Sequence, residues 1–116
     1  MTDDVDTMIR QAIGGDADAI AWISAQAEST DEAMVIAMAA LLERRPALLR
    51  RSRSAAVTSR DRQVVAIAAA HLGGDSELVD ALARDHLVDH PDSLIVAWIA
   101  SDAVVRSRRP GLPDQP

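Results

Sequence analysis

At 116 residues the chain has the length of one domain, enough to bury a core without cross-links. It holds no cysteine, which excludes disulfides, thiolate metal sites and cysteine nucleophiles. Its net charge is −6 and every one of its twelve cations is arginine; an overall acidic chain is a poor nucleic-acid binder by long-range field, although a local basic strip can still act.

Alanine supplies 22 residues, and Lys, Asn, Phe and Tyr are absent. That bias favours helix. It also dictates an aliphatic core lined by small side chains, against which helices approach closely. The longest apolar run, Ala33 to Leu42, is ten residues; a membrane span needs about 20. The opening "MTDDVDT" is acidic, unlike a secretory or transit segment. These features predict a soluble, cytoplasmic protein.

The first helix is expected over about Asp4 to Ile13 and the second over about Ala17 to Ala27, with Ile20, Ile23 and Ala27 on one stripe. "STDE", Ser29 to Glu32, has the pattern of a capping box and predicts a third helix reaching about Arg45. That helix is apolar nearly all round and therefore central. Pro46 suits the first turn of a fourth helix, to about Val57. A fifth is expected over about Arg60 to Leu72 and a sixth over Ser76 to about Asp89. A seventh starts near Pro91 or Ser93 and carries Leu94, Ile95, Trp98 and Ile99. No segment alternates as a strand would. The end, "RSRRPGLPDQP", has three prolines in eleven residues, so 107–116 is expected to be a disordered tail behind a single domain of residues 1–106.

Two turns repeat. Gly14-Gly15-Asp16 and Gly73-Gly74-Asp75 sit 59 residues apart, in "QAIGGDADAIAWIS" and "AHLGGDSELVDALA". In each, one Gly can take the left-handed conformation that ends a helix, and the Asp can cap the next. Short connections of this kind imply antiparallel neighbours. The expected fold is therefore all-α: three helical hairpins stacked side by side, plus a C-terminal capping helix.

Residues 60–93 resemble one tetratricopeptide-type repeat. Pro91 follows the Gly74-Asp75 turn at the spacing of that family's 34-residue unit, and "HLVDHPDS" resembles its ending, with Leu87 in the leucine's place. Ile67, Val79 and His86 stand where the family has small residues, and Ala70 and Ala83 where it has aromatic ones. Around Gly15-Asp16 the turn matches, but Glu32 stands where the family has proline. The resemblance implies a right-handed stack of helical pairs and a protein-binding surface.

All three histidines, His71, His86 and His90, fall within "HLGGDSELVDALARDHLVDHPDS". His86 and His90 are four apart, so they share a helix face, the arrangement of zinc-binding helices, with His71 or an Asp as a third ligand. His86 also continues the apolar stripe of Val79 and Ala83, and His90 falls in a last turn where a cation is favoured. We read both as structural and predict no metal or other cofactor. His90-Pro91-Asp92 is the tripeptide of J-domains, but those place a lysine-rich helix before it; here that helix is acidic, and Pro91 reads as a helix exit.

Charge is unevenly placed. Residues 44–62 carry seven Arg and one Asp, a net of +6, and the remainder five Arg and seventeen acids, a net of −12. Arg44, Arg45, Arg50, Arg51 and Arg53, with Trp98, are the candidate partner-binding residues. The alternative is that the arginines pair with the acidic helices either side. No catalytic constellation is present in the sequence: the Gly-Gly-Asp turns lack the spaced glycines of a phosphate loop, and no nucleophile elbow occurs. The expected function is a small non-enzymatic helical-repeat interaction module or scaffold, its partner another protein or a second copy in a homodimer. The rival is a regulator that uses residues 44–62 on nucleic acid or an acidic partner, nucleic acid being disfavoured by the acidic remainder.

Overall fold

The computed structural model describes the chain from Thr2 to Arg108, with side chains from Val5 to Ser101. Seven helices follow one another: α1 (Thr2–Ile13), α2 (Ala17–Gln26), α3 (Ala33–Glu43), α4 (Leu48–Ala55), α5 (Ser59–Leu72), α6 (Ser76–Asp89) and α7 (Leu94–Arg108). Among the described residues there is no strand. The expected tail lies outside them, apart from Ser107 and Arg108, which continue α7.

The twin glycine turns form the same closure. Gly15 and Gly74 hold φ of +94° and +78°. At the first, the Gly15 N–H donates to the Ala12 carbonyl (3.0 Å) and the Asp16 N–H to that of Gln11 (3.0 Å). At the second, the Gly74 N–H donates to His71 (3.1 Å) and the Asp75 N–H to Ala70 (3.0 Å). Both are Schellman closures, in which a left-handed residue satisfies the last carbonyls. The Asp carboxylates then cap: Asp16 accepts from the Asp18 and Ala19 N–H groups (2.9 and 3.1 Å), and Asp75 from that of Leu78 (3.1 Å). In the first pair only Gly15 needs to be glycine, whereas at Gly73 an added Cβ would come 3.2 Å from the Ala69 carbonyl. A Cβ at Gly15 would touch nothing within 4 Å yet force an L-residue to positive φ, whereas at Gly14 its nearest neighbour is the Gln11 carbonyl at 3.5 Å. Gly15→Ala should cost about 1 kcal/mol. Gly14→Ala should be neutral or stabilising by up to about 1 kcal/mol. Thermal melts of the two variants check this, and equal melting points would contradict the assignment.

Two helix starts differ from the sequence reading. The Ser29–Glu32 capping box does not form. The Arg51 guanidinium takes the Thr30 carbonyl (3.0 Å), and the Thr30 hydroxyl accepts instead from the Glu32 N–H (3.1 Å), so α3 begins only at Ala33. Pro46 sits in a lead-in turn, in which its carbonyl accepts from the Leu49 N–H (3.0 Å) and that of Arg45 from Leu48 (3.0 Å), and α4 begins two residues later. At the other end of α3, Arg44 takes the left-handed conformation (φ 53°, ψ 49°), where a glycine would ordinarily stand.

Helices α1 and α2, α3 and α4, and α5 and α6 pack as successive pairs. Each of α1, α3 and α5 also touches the next odd-numbered helix, and α1 meets α7. The first and last helices thus meet each other. Helix α3 is central, with every residue from Val35 to Leu41 buried. Its apolar circumference, expected to be central, is taken up inside the monomer. The buried Ser52 of α4 donates to the Ala33 carbonyl (2.9 Å) and ties α4 to the start of α3. No described helix is long and apolar enough to cross a membrane.

Candidate functional site

Helix α4 is short and strongly two-faced. Leu48, Leu49 and Ser52 turn inward, while Arg50, Arg51, Arg53 and Ser54 face out. The expected Arg strip does not act as one unit. Arg51 donates to the carbonyls of Ala27 and Thr30, closing the end of α2. Arg45 pairs with Glu43 at 3.0 Å and reaches Glu28 at 4.0 Å. A hydrogen bond from Ser24, reinforced by Arg45, holds the Glu43 carboxyl below its ordinary range. Arg60 pairs with Asp92 at 3.4 Å, and Arg62 donates to the Val57 carbonyl at 3.3 Å. Arg44, Arg50 and Arg53 are exposed and have no partner among the described residues. Four of the seven arginines thus have partners inside the chain and three do not. Trp98, the remaining candidate, is half-buried and packs against the core, as does Trp22.

Beside α4 lies a hollow of about 460 Å³. Arg50, Arg51 and Ser54 of α4 line it together with Thr30 and Asp31 of the segment before α3 and with Ile36. Arg50 and Ser54 are four apart, one turn of a helix, so they present a guanidinium and a hydroxyl side by side. Asp31 pairs with neither arginine.

The histidine cluster is a buried relay. His86 is 2% exposed and Ser93 3%. His86 Nδ1 lies 2.6 Å from Gln63 Oε1, and Nε2 lies 3.0 Å from Ser93 Oγ. An amide oxygen only accepts, so Nδ1 carries the proton and Nε2 accepts from the Ser93 hydroxyl. The His90 ring stands against His86, centroids 4.9 Å apart. Burial, then the neighbouring His90 and Arg60, push the His86 pKa below its ordinary value against the pull of Asp89 and Asp92. The ring is therefore neutral at neutral pH, bonded on both nitrogens, and set between two surface hollows: Ser93 lines one of about 310 Å³, and Gln63 and His86 line one of about 370 Å³. Among the described residues no three His, Asp or Glu side chains group closely enough to hold a metal ion.

No protein-family model matches the chain, and comparison with curated proteins and with solved structures gives no match either. The site must be argued from its own geometry.

Sequence reasoning did not anticipate that Thr30 and Asp31 line the α4 hollow. Thr30 and Asp31 lie about twenty residues before Arg50 and Arg51, and no local spacing joins them. Ser54 was within reach, since an Arg and a hydroxyl residue four apart on an exposed helix face are visible in the sequence. The partners of His86 lie 23 and 7 residues away, beyond any single-helix pattern.

Proposed function

We propose that this chain is a small non-enzymatic interaction module of helical hairpins, of tetratricopeptide-like type, which docks an acidic segment of a partner protein on the exposed face of α4. What supports it is the set of unpaired guanidiniums of Arg44, Arg50 and Arg53 on a protein of net charge −6. Arg50 and Arg53 lie three apart on α4, where like charges repel one another and lower stability unless something compensates them. Arg44 adds a backbone cost, because a left-handed conformation disfavours a non-glycine residue by about 1–2 kcal/mol. A cation kept at a strained, exposed position points toward recognition more than stability. Arginine suits carboxylate through its forked planar geometry. The acidic remainder of the chain opposes a long polyphosphate backbone running past the strip. The buried His86, fully bonded with no carboxylate hydrogen-bonded to it, is a satisfied core histidine in this reading.

The test is a fluorescence-anisotropy titration of the full chain with a labelled oligoglutamate peptide, at about 0.05 M and 0.5 M salt. Binding should weaken at least tenfold at the higher salt and at least tenfold when Arg44, Arg50 and Arg53 are all changed to Glu. A single-stranded oligonucleotide of similar charge should bind more weakly than the peptide. Absence of peptide binding, indifference to the triple change, or tighter binding of the oligonucleotide would sink the proposal.

A further inference from the structure

The hollow beside α4 is more selective than a basic strip. Arg51 is fixed in its wall by two backbone carbonyls and contributes a stationary positive charge. Arg50 has no hydrogen-bond or ion-pair partner among the described residues and shares a helix face with Ser54, four residues on. Asp31 lines the same hollow, a carboxylate with no cationic partner among the described residues. A hollow lined by two arginines, a serine and one aspartate keeps a small positive excess. That excess suits a single negative charge. It suits a phosphate poorly, because a phosphate monoester carries about −1.5 to −2 at pH 7 and would lie against Asp31.

We infer that the hollow between the Thr30–Asp31 turn and α4 is a pocket for one carboxylate side chain of an acidic peptide, held by a fork from Arg50 and a hydrogen bond from Ser54, with Asp31 excluding phosphorylated residues. The inference rests on the acidic-segment reading above and assigns its anchoring contact. Arg44 and Arg53 then act as outlying charges that speed encounter and add salt dependence. Arg50 and Ser54 set the affinity, because a forked, charge-assisted pair is stronger than a diffuse one.

The experiment compares three probes by calorimetry on the full chain: an oligoglutamate peptide, the same peptide with its central residue replaced by phosphoserine, and free glutarate. Wild type should prefer the glutamate peptide to the phosphopeptide by at least threefold and bind glutarate much more weakly than either. Arg50→Ala should weaken the glutamate peptide at least tenfold and Ser54→Ala about threefold, while Arg53→Ala changes it less than threefold. Asp31→Asn should strengthen both peptides and abolish the preference between them. All four residues are exposed, so circular dichroism should show unchanged folding. Equal losses for Arg50→Ala and Arg53→Ala would overturn the pocket while leaving the acidic-segment reading intact. Preference for the phosphopeptide in wild type, or an Asp31→Asn change without effect, would overturn the selectivity argument. Glutarate binding as tightly as the peptide would replace the peptide by a free dicarboxylate. No heat with any probe would remove both this inference and the reading beneath it.

Discussion

His86→Leu should destabilise the protein by about 2–3 kcal/mol, lowering its Tm by roughly 10 °C, even though leucine extends the apolar stripe of α6. On the stripe alone the change would be neutral or favourable, since Val79 and Ala83 precede it on the same buried face. The relay decides otherwise. Leucine removes two hydrogen bonds and leaves the Ser93 hydroxyl, 3% exposed, without its acceptor. Gln63 is exposed and can turn to water, so the loss concentrates on Ser93. Adding Ser93→Ala to His86→Leu should therefore recover more than half of it, because removing both partners of a buried hydrogen bond is cheaper than removing one. The same pair predicts a pH effect. A base whose folded pKa lies below its unfolded value binds fewer protons in the native state, so its contribution is complete above the unfolded value of about 6.5 and is lost as pH falls from there towards the lowered folded one. Wild type should lose Tm across that interval and His86→Leu should lose less. Parallel pH profiles would contradict the relay, as would a leucine variant as stable as wild type.

What was legible in the sequence shares one property: it is settled within a helical turn or two. The glycine–aspartate closures needed only a positive φ and a carboxylate three residues before an N–H. The limits of α1, α5 and α6 fell to within two residues of expectation for that reason. The start of α3 escaped because both donors of a capping box are already taken, the Ser29 N–H by the Gln26 carbonyl at the end of α2 and the Glu32 N–H by the Thr30 hydroxyl, while Arg51, 21 residues on, holds the Thr30 carbonyl. Charge behaved likewise. Composition marks residues 44–62 as one basic block, but geometry divides it, sending Arg51 to backbone carbonyls, Arg45 and Arg60 to carboxylates and Arg62 to the Val57 carbonyl. The meeting of α1 with α7 is the longest-range feature of all, and no spacing within a repeat unit encodes it.

Packing around α5 has an energetic consequence that a single alanine can report. Ala68→Leu should cost roughly 3 kcal/mol, and Ala66→Leu, two residues earlier on the same helix, less than about 0.5 kcal/mol. The two substitutions change helix propensity identically, so their difference isolates packing. Ala68 is fully buried in the core cluster; Ala66 is exposed at the rim of the hollow beside Gln63 and His86. A core with neither Phe nor Tyr draws its density from close helix approach, and there the extra carbons of leucine can be admitted only by pushing helices apart. Helix α5 contacts α3, α4, α6 and α7, so outward movement at Ala68 disturbs several interfaces at once. Urea titrations read the result directly. The midpoint for Ala68→Leu should fall with an unchanged slope, and that for Ala66→Leu should stay with wild type. Equal midpoints would mean that α5 packs loosely and that alanine abundance reflects helix propensity alone. A reduced slope for Ala68→Leu would mean that the extra volume breaks the cooperative unit itself, separating the α5–α7 end from the rest.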